Sequence, residues 1–204
     1  MPGIRFVIFD MDQVLYDYEH AVRLRLLEEL TGRPAAEIDA AVWGGPHEEA
    51  AEAGDPATAD AYLAQYGDLL GYPIDFDTWC EIRRKMMRAR PEVLDLVRNL
   101  KATADVALLT NNGMMLKAAL PVCAPETIEI FGDKAHVSAE FKLRKPDPEL
   151  YRVVCDTYGY APEESAFVDD KPENVVGAEK AGLTGHVFED ISGFSAFLKL
   201  HALI

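Results

Sequence analysis

Three apolar runs in this chain each stop at a polar residue, and that pattern limits the folds open to it. The run Ile4-Arg5-Phe6-Val7-Ile8-Phe9 stops at Asp10-Met11-Asp12. The run ending Leu108-Leu109 stops at Thr110-Asn111, and the run ending Phe167-Val168 stops at Asp169-Asp170. Near-continuous apolar runs rich in Val, Ile, Leu and Phe suit strands covered on both faces. Helical patterns follow two of the three closely. A parallel sheet covered by helices satisfies both facts, and it gathers chemistry at the carboxyl ends of its strands. The expected fold class is therefore α/β, a three-layer doubly wound parallel sheet, with room among 204 residues for one insertion.

Strands are expected at 4–9, 105–110, 136–138, 165–169 and 185–188, with a weaker one near 127–131. Between 91 and 190 helical patterns alternate with them. Residues 91–101 place Val93, Leu94, Val97 and Leu100 on one stripe behind Pro91. Residues 113–120 follow the second strand. Asp147-Pro148 reads as N-cap and first helical residue of 147–158, and Gly182 as the stop of 172–181. Residues 17–89 carry almost no strand signal and read as successive helices. The first, 18–31, has Val22, Leu26, Leu27 and Leu30 on one side. A second runs from Pro34 to about Trp43 and breaks at Gly44-Gly45-Pro46. Asp55-Pro56 opens a third, which ends at Gly71-Tyr72-Pro73, and Asp75 or Asp77 opens a fourth. This gives a core domain of 1–16 and 90–204 and an all-helical inserted domain of 17–89.

The formal net charge is −15. That disfavours nucleic acid and anionic membrane as partners, though a few local cations can still dominate a cleft. Cys80, Cys123 and Cys155 are scattered, as expected of buried thiols in a reducing compartment. The first strand begins within a few residues of Met1, leaving no room for a signal peptide, and no apolar run approaches a membrane span. A soluble cytoplasmic protein is expected, as monomer or homodimer.

Asp10 and Asp12 are two apart at a strand end, so their side chains share a face. Such a pair can divide labour between nucleophile and general acid/base, and its self-repulsion invites a divalent cation. A solvated acidic turn would look the same. Asp169 and Asp170 add carboxylates from a second strand end. An oxygen-only set of this kind suits Mg²⁺, although one of the two could equally cap the helix after Pro172. The Thr110 hydroxyl and the N–H groups beyond it can hold an anion, or can form an ordinary turn. Lys145, flanked by Lys142 and Arg144, supplies a cation. Together these residues describe phosphoryl transfer, in which positioning and charge stabilisation supply most of the rate.

At this point the chain resembles the haloacid dehalogenase-type (HAD) hydrolases. The matching pieces are FDMD at 9–12, LLTNN at 108–112, RKPDPELY at 144–151 and FVDDKPENVVGAEKAGL at 167–183. The resemblance implies that Asp10 is the aspartyl-phosphate nucleophile. Asp12 would be the acid/base and would lend a main-chain carbonyl to Mg²⁺. Thr110, Asn111 and Lys145 would bind phosphate, Asp10, Asp12, Asp169 and Asp170 would hold the metal, and Asn174 would support the site. It also implies that 17–89 is the family's helical cap of the first type. The motif wording is similar to that of small sugar-phosphate phosphatases such as the glucose-1-phosphate phosphatases. Gln13 departs from the pattern, in which Gly or Asn follows the second aspartate.

The cap is expected to select the substrate, with Trp43 and His47, and also Tyr16, Tyr18 and His20, as candidates to face the cleft. The expected activity is Mg²⁺-dependent hydrolysis of a small phosphorylated metabolite. A dehalogenase, a sugar phosphomutase and a non-catalytic ligand-binding module are the alternatives on the same scaffold.

Overall fold

The computed structural model describes residues 3–204; residues 1 and 2 of the expected core segment lie outside them. The sheet is built from β1 (Phe6–Phe9), β4 (Asp105–Thr110), β5 (Ala135–Val137), β6 (Ser165–Asp169) and β7 (Thr184–Val187). Their order is β5-β4-β1-β6-β7, and every neighbouring pair is parallel. From β1 the chain builds outward to β4 and β5, then crosses back to lay β6 and β7 on the other side. The strand order therefore reverses at β1, where a crevice opens beyond the strand ends. Asp10, Thr110 and Asp169 lie at the ends of the three central strands.

Side-chain alternation on β1 explains the three layers. Val7 and Phe9 join the apolar cluster beneath α6 (Pro91–Leu100), α7 (Met114–Cys123), α8 (Pro125–Phe131) and α11 (Ile191–Leu200). Phe6 and Ile8 face α9 (Pro148–Tyr158) and α10 (Pro172–Ala181), in a second cluster with Leu150, Tyr151, Val154 and Ala178. The expected stripe of α6 is buried at Val93, Leu94, Val97 and Leu100. Asp147 caps α9, accepting the Glu149 N–H at 2.9 Å, and α10 ends at Gly182 with φ +104°.

The chain leaves and re-enters the sheet domain through a small antiparallel ribbon, β2 (Tyr16–Tyr18) with β3 (Met87–Ala89). Between them lie α1 (His20–Thr31), α2 (Ala35–Val42), α3 (His47–Glu52), α4 (Ala59–Leu70) and α5 (Phe76–Lys85). This insertion is continuous with the first apolar cluster through Leu27, Ile38, Val42, Tyr62, Trp79 and Cys80.

Several elements differ from expectation for identifiable reasons. The β2–β3 ribbon is too short to show alternation, and its partners are distant in sequence. Residues 127–131 are helix, not strand. Pro125 opens it, Gly132 ends it, and Thr127, Ile130 and Phe131 are buried at helical spacing. The helix expected from Asp55-Pro56 begins later, because Thr58 supplies its cap by accepting the Ala61 N–H at 3.2 Å. Asp75 rather than Asp77 caps α5. On α1 only Arg23 and Leu27 are buried; Leu26 and Leu30 of the expected stripe pack against the core while partly exposed.

Candidate active site

The site is centred on the Lys145 ammonium, 2% exposed. It donates to Asp10 Oδ1 at 2.7 Å and to Asp169 Oδ2 at 2.6 Å, joining the ends of β1 and β6. Of the three cations at 142–145, this one is selected by the backbone around it. Its N–H donates to Asn111 Oδ1 at 2.8 Å, and its carbonyl accepts from Asn111 Nδ2 at 2.9 Å. Asn111, expected to bind phosphate, thus commits its side chain to Lys145. Arg144 turns the other way, to Glu49 and Glu52 of α3 at 3.1 and 2.7 Å. The loop is held from behind by α10. A Cβ on Gly177 would fall 2.2 Å from the Pro146 carbonyl oxygen, so the helix could not sit there with a larger residue.

Asp169 is fully buried and accepts three times, from Lys145, from Asn174 Nδ2 at 3.0 Å and from the Lys171 N–H at 2.8 Å. Asp10 makes one side-chain hydrogen bond, through Oδ1, and its second oxygen has none among the described residues. Burial, followed by the charge of Asp169, raises Asp10 to about 7 even though Lys145 opposes the shift. Burial works against the Lys145 ammonium too, but Asp10 and Asp169 hold its pKa above the usual lysine value. Asp170 is raised by burial and by Asp169. Oxygen atoms of Asp10, Asp169 and Asp170 all lie within 4.8 Å of one another. Three hard oxygen donors, two of them destabilised as anions, fit a divalent cation such as Mg²⁺. The Asp12 carboxylate is not in that cluster.

Asp12 is instead bound by the insertion. Arg83 of α5, 3% exposed, donates from Nη2 to both Asp12 oxygens at 2.8 and 2.7 Å. Its guanidinium also covers the Tyr18 ring, 4.9 Å from the centroid. Nothing in the sequence distinguished Arg83 from the neighbouring basic residues of its helix. Thr110 is buried at the end of β4, its hydroxyl accepting from Asn112 Nδ2 at 3.0 Å.

A cleft of about 470 Å³ opens over these groups. Of the five cap candidates, Tyr18 and Trp43 line it. His47 does not; its Nδ1 faces Gln65 of α4 at 3.5 Å, because α3 begins at that residue after the Gly44-Gly45-Pro46 break. Tyr16 points away, donating to Glu126 at 2.8 Å. His20 bonds Asp39 at 2.8 Å and packs its ring behind Trp43. Arg23, not anticipated, does line the cleft.

Gln13 adopts φ +63°, the left-handed conformation usually given to Gly or Asn. Its side chain is anchored there. Nε2 donates to the Tyr18 carbonyl at 2.8 Å, while Arg90 donates to the Gln13 carbonyl at 2.5 Å and to Oε1 at 3.3 Å.

A doubly wound sheet with an acidic strand-end cluster and a buried lysine suits phosphoryl or acyl transfer through a carboxylate, and the comparisons with known proteins supply the class. The family model of the haloacid dehalogenase-like hydrolases matches residues 4–182, and the chain belongs to that family. A D-ribitol-5-phosphate phosphatase of Bacteroides thetaiotaomicron is 25% identical over 183 residues, covering 84% of this chain and 85% of that protein. An (S)-2-haloacid dehalogenase of Burkholderia cepacia is 30% identical over 100 residues, which are 48% of this chain and 42% of the dehalogenase. A solved HAD-like hydrolase of Porphyromonas gingivalis superposes with a TM-score of 0.79 at 21% identity, covering 97% of this chain and 98% of that one. Likewise, a HAD family enzyme of B. thetaiotaomicron, in complex with magnesium and inorganic phosphate, gives 0.77 at 20% identity, covering 94% and 99%.

Proposed function

We propose that this protein is a Mg²⁺-dependent phosphatase of a small phosphorylated metabolite, a sugar phosphate of the kind used by glucose-1-phosphate phosphatases. The observation that carries the reading is the Asp10–Lys145–Asp169 ion triad at the strand crossover, with Asp12 beside it. The likeness to a D-ribitol-5-phosphate phosphatase over most of both chains supports it.

In this reading the free oxygen of Asp10 attacks phosphorus as the ester P–O bond breaks. Asp12, taking up a proton in place of its ion pair with Arg83, gives that proton to the leaving oxygen. Asp12 then takes a proton from the water that attacks the aspartyl phosphate, releasing inorganic phosphate and the Asp10 carboxylate. Lys145 and Thr110, with the main-chain N–H groups after it, hold the phosphoryl oxygens. Asp10, Asp169, Asp170 and the Asp12 carbonyl would hold Mg²⁺, which would neutralise the charge that otherwise keeps carboxylate and phosphate apart. Residues 1–16 and 90–204 form the body, and 17–89 form a lid that excludes water from the acyl phosphate. The proposed setting is the cytoplasm, with the protein a monomer or homodimer acting on small esters; the net charge of −15 disfavours nucleic acid and anionic membranes as partners. A dehalogenase on the same scaffold would attack carbon and would need neither Asp12 nor the metal carboxylates.

The test is a panel of phosphorylated metabolites with and without Mg²⁺, run on the wild type and on Asp10→Asn. Hydrolysis should need Mg²⁺ and should fall at least about a thousandfold in the variant, because nothing else nearby can form the covalent intermediate. Near wild-type turnover by Asp10→Asn would overturn the assignment.

A further inference from the structure

Three arginines line the cleft, and two have carboxylate partners: Arg83 with Asp12, and Arg144 with Glu49 and Glu52. Arg23 has none within ion-pair reach among the described residues. It lies on α1, 5% exposed, in a box of aromatic rings. The centroids of Trp43, Tyr66 and Trp79 are 4.6, 5.7 and 5.8 Å from its guanidinium carbon. The Tyr66 hydroxyl is beside it. Glu48 acts on it only from a distance, and its Oε1 accepts from the Tyr62 hydroxyl at 2.7 Å.

Burying a guanidinium without a counter-ion is costly, and aromatic faces recover only part of that cost. A methionine or leucine would fill the same box without it, as Leu27 does one turn further along α1. The charge therefore has a use where the box meets the cleft that Arg23 lines. Lys145 and Thr110 lie at the floor of that cleft, so a bound ester places its phosphoryl group there and its leaving group against the insertion.

We propose that Arg23 is the counter-ion for a second anionic group on the leaving part of the substrate. The substrate class is then an acidic phosphomonoester, one carrying a carboxylate or a second phosphate. This rests on the phosphatase reading and replaces its neutral sugar phosphate with an acidic ester. A guanidinium can form two parallel hydrogen bonds to either anion, and the rings hold its plane in place for that.

Matched esters test it. The carboxylate arm compares 3-phosphoglycerate with glycerol 1-phosphate, and the second-phosphate arm compares glucose 1,6-bisphosphate with glucose 1-phosphate. In at least one arm the wild type should favour the acidic ester at least about tenfold in kcat/KM, and the favoured arm identifies the anion. Arg23→Met should collapse that ratio, and Arg23→Lys should keep part of it. A merely structural role would lower both esters alike and leave the ratio unchanged, which would overturn the proposal. So would a wild type that hydrolyses the neutral esters as well or better, and in that outcome the phosphatase reading stands. If no ester is hydrolysed, the phosphatase reading fails, and thermal shifts of Asp10→Asn with the same four compounds decide about Arg23. A shift with an acidic compound that Arg23→Met in the Asp10→Asn background abolishes supports the site; equal shifts with and without the arginine reject it.

Discussion

The strand-end body and the helical insertion handle buried charge in opposite ways. In the body, Lys145 sits between Asp10 and Asp169, and Asp169 is further held by Asn174 and the Lys171 N–H. Lys145, Asp10 and Asp169 each have a protein partner there; sheet register places the two aspartates, and Asn111 holds the Lys145 backbone. In the insertion, Arg23 is boxed by rings with no carboxylate at hand. A closed set of charges is a reaction centre prepared in advance. An open one is incomplete until something binds. In the proposed reading the body sets the chemistry and the insertion its object; Arg83 joins the two by reaching from α5 to Asp12.

The strongest way to break this contrast is to open the closed set. Lys145→Met should lower kcat by about a hundred- to a thousandfold, the range seen when one preorganised donor to a developing charge is lost. It should also drive Asp10 higher still, because the opposing charge is gone. If steady-state kinetics instead show a change confined to KM, Lys145 serves ground-state binding alone, and the body is less prepared than argued.

A second test asks how far the metal completes the body. Asp10 is raised to about 7 from an ordinary 3.8, so between those values the folded protein holds a proton that the unfolded chain has released. Metal-free stability from this group is therefore fully present below about pH 4 and is lost as pH rises towards 7. Mg²⁺ bound as proposed would need the carboxylate and would displace that proton. Its stabilisation, read as a shift in Tm, should be small at pH 5.5 and larger at pH 8. Asp170→Ala should lose most of the shift at both pH values. An equal response in variant and wild type would put the cation elsewhere.

The same contrast explains what could be read from the sequence. Asp10, Asp12, Thr110, Lys145, Asp169 and Asp170 were legible because each follows an apolar run or a Pro-flanked motif, and strand ends in a parallel sheet converge. Arg23 and Arg83 were not, because an arginine inside a helix ordinarily reads as part of a solvated face. The one available signal for Arg23 was its spacing, four residues before Leu27 and seven before Leu30. The short α3 and the β2–β3 ribbon are set by tertiary contacts rather than by local pattern, so His47 was expected in the cleft and Tyr16 was not placed against Glu126. Asn111 lines the cleft, but its amide is used on the Lys145 backbone, which a sequence cannot show.

The smallest effect lies at the junction of the two regions, where Gln13 occupies a left-handed position. A non-glycine residue there costs about 1–2 kcal/mol. Its side chain offsets this with a hydrogen bond to the Tyr18 carbonyl and one from Arg90, each worth about 1 kcal/mol net. The third contact, from Arg90 to the Gln13 carbonyl, is independent of the side chain. Gln13→Gly removes the strain and the two bonds together, and glycine adds unfolded-state entropy. Chemical denaturation should therefore place it within about 1 kcal/mol of the wild type. Gln13→Ala keeps the strain and loses the bonds, so it should be less stable by about 1–2 kcal/mol. That order, with Ala below Gly, is the outcome to look for. If Ala equals the wild type, the amide contributes nothing, and β2 is positioned by the ribbon pairing with β3 and by Arg90 alone.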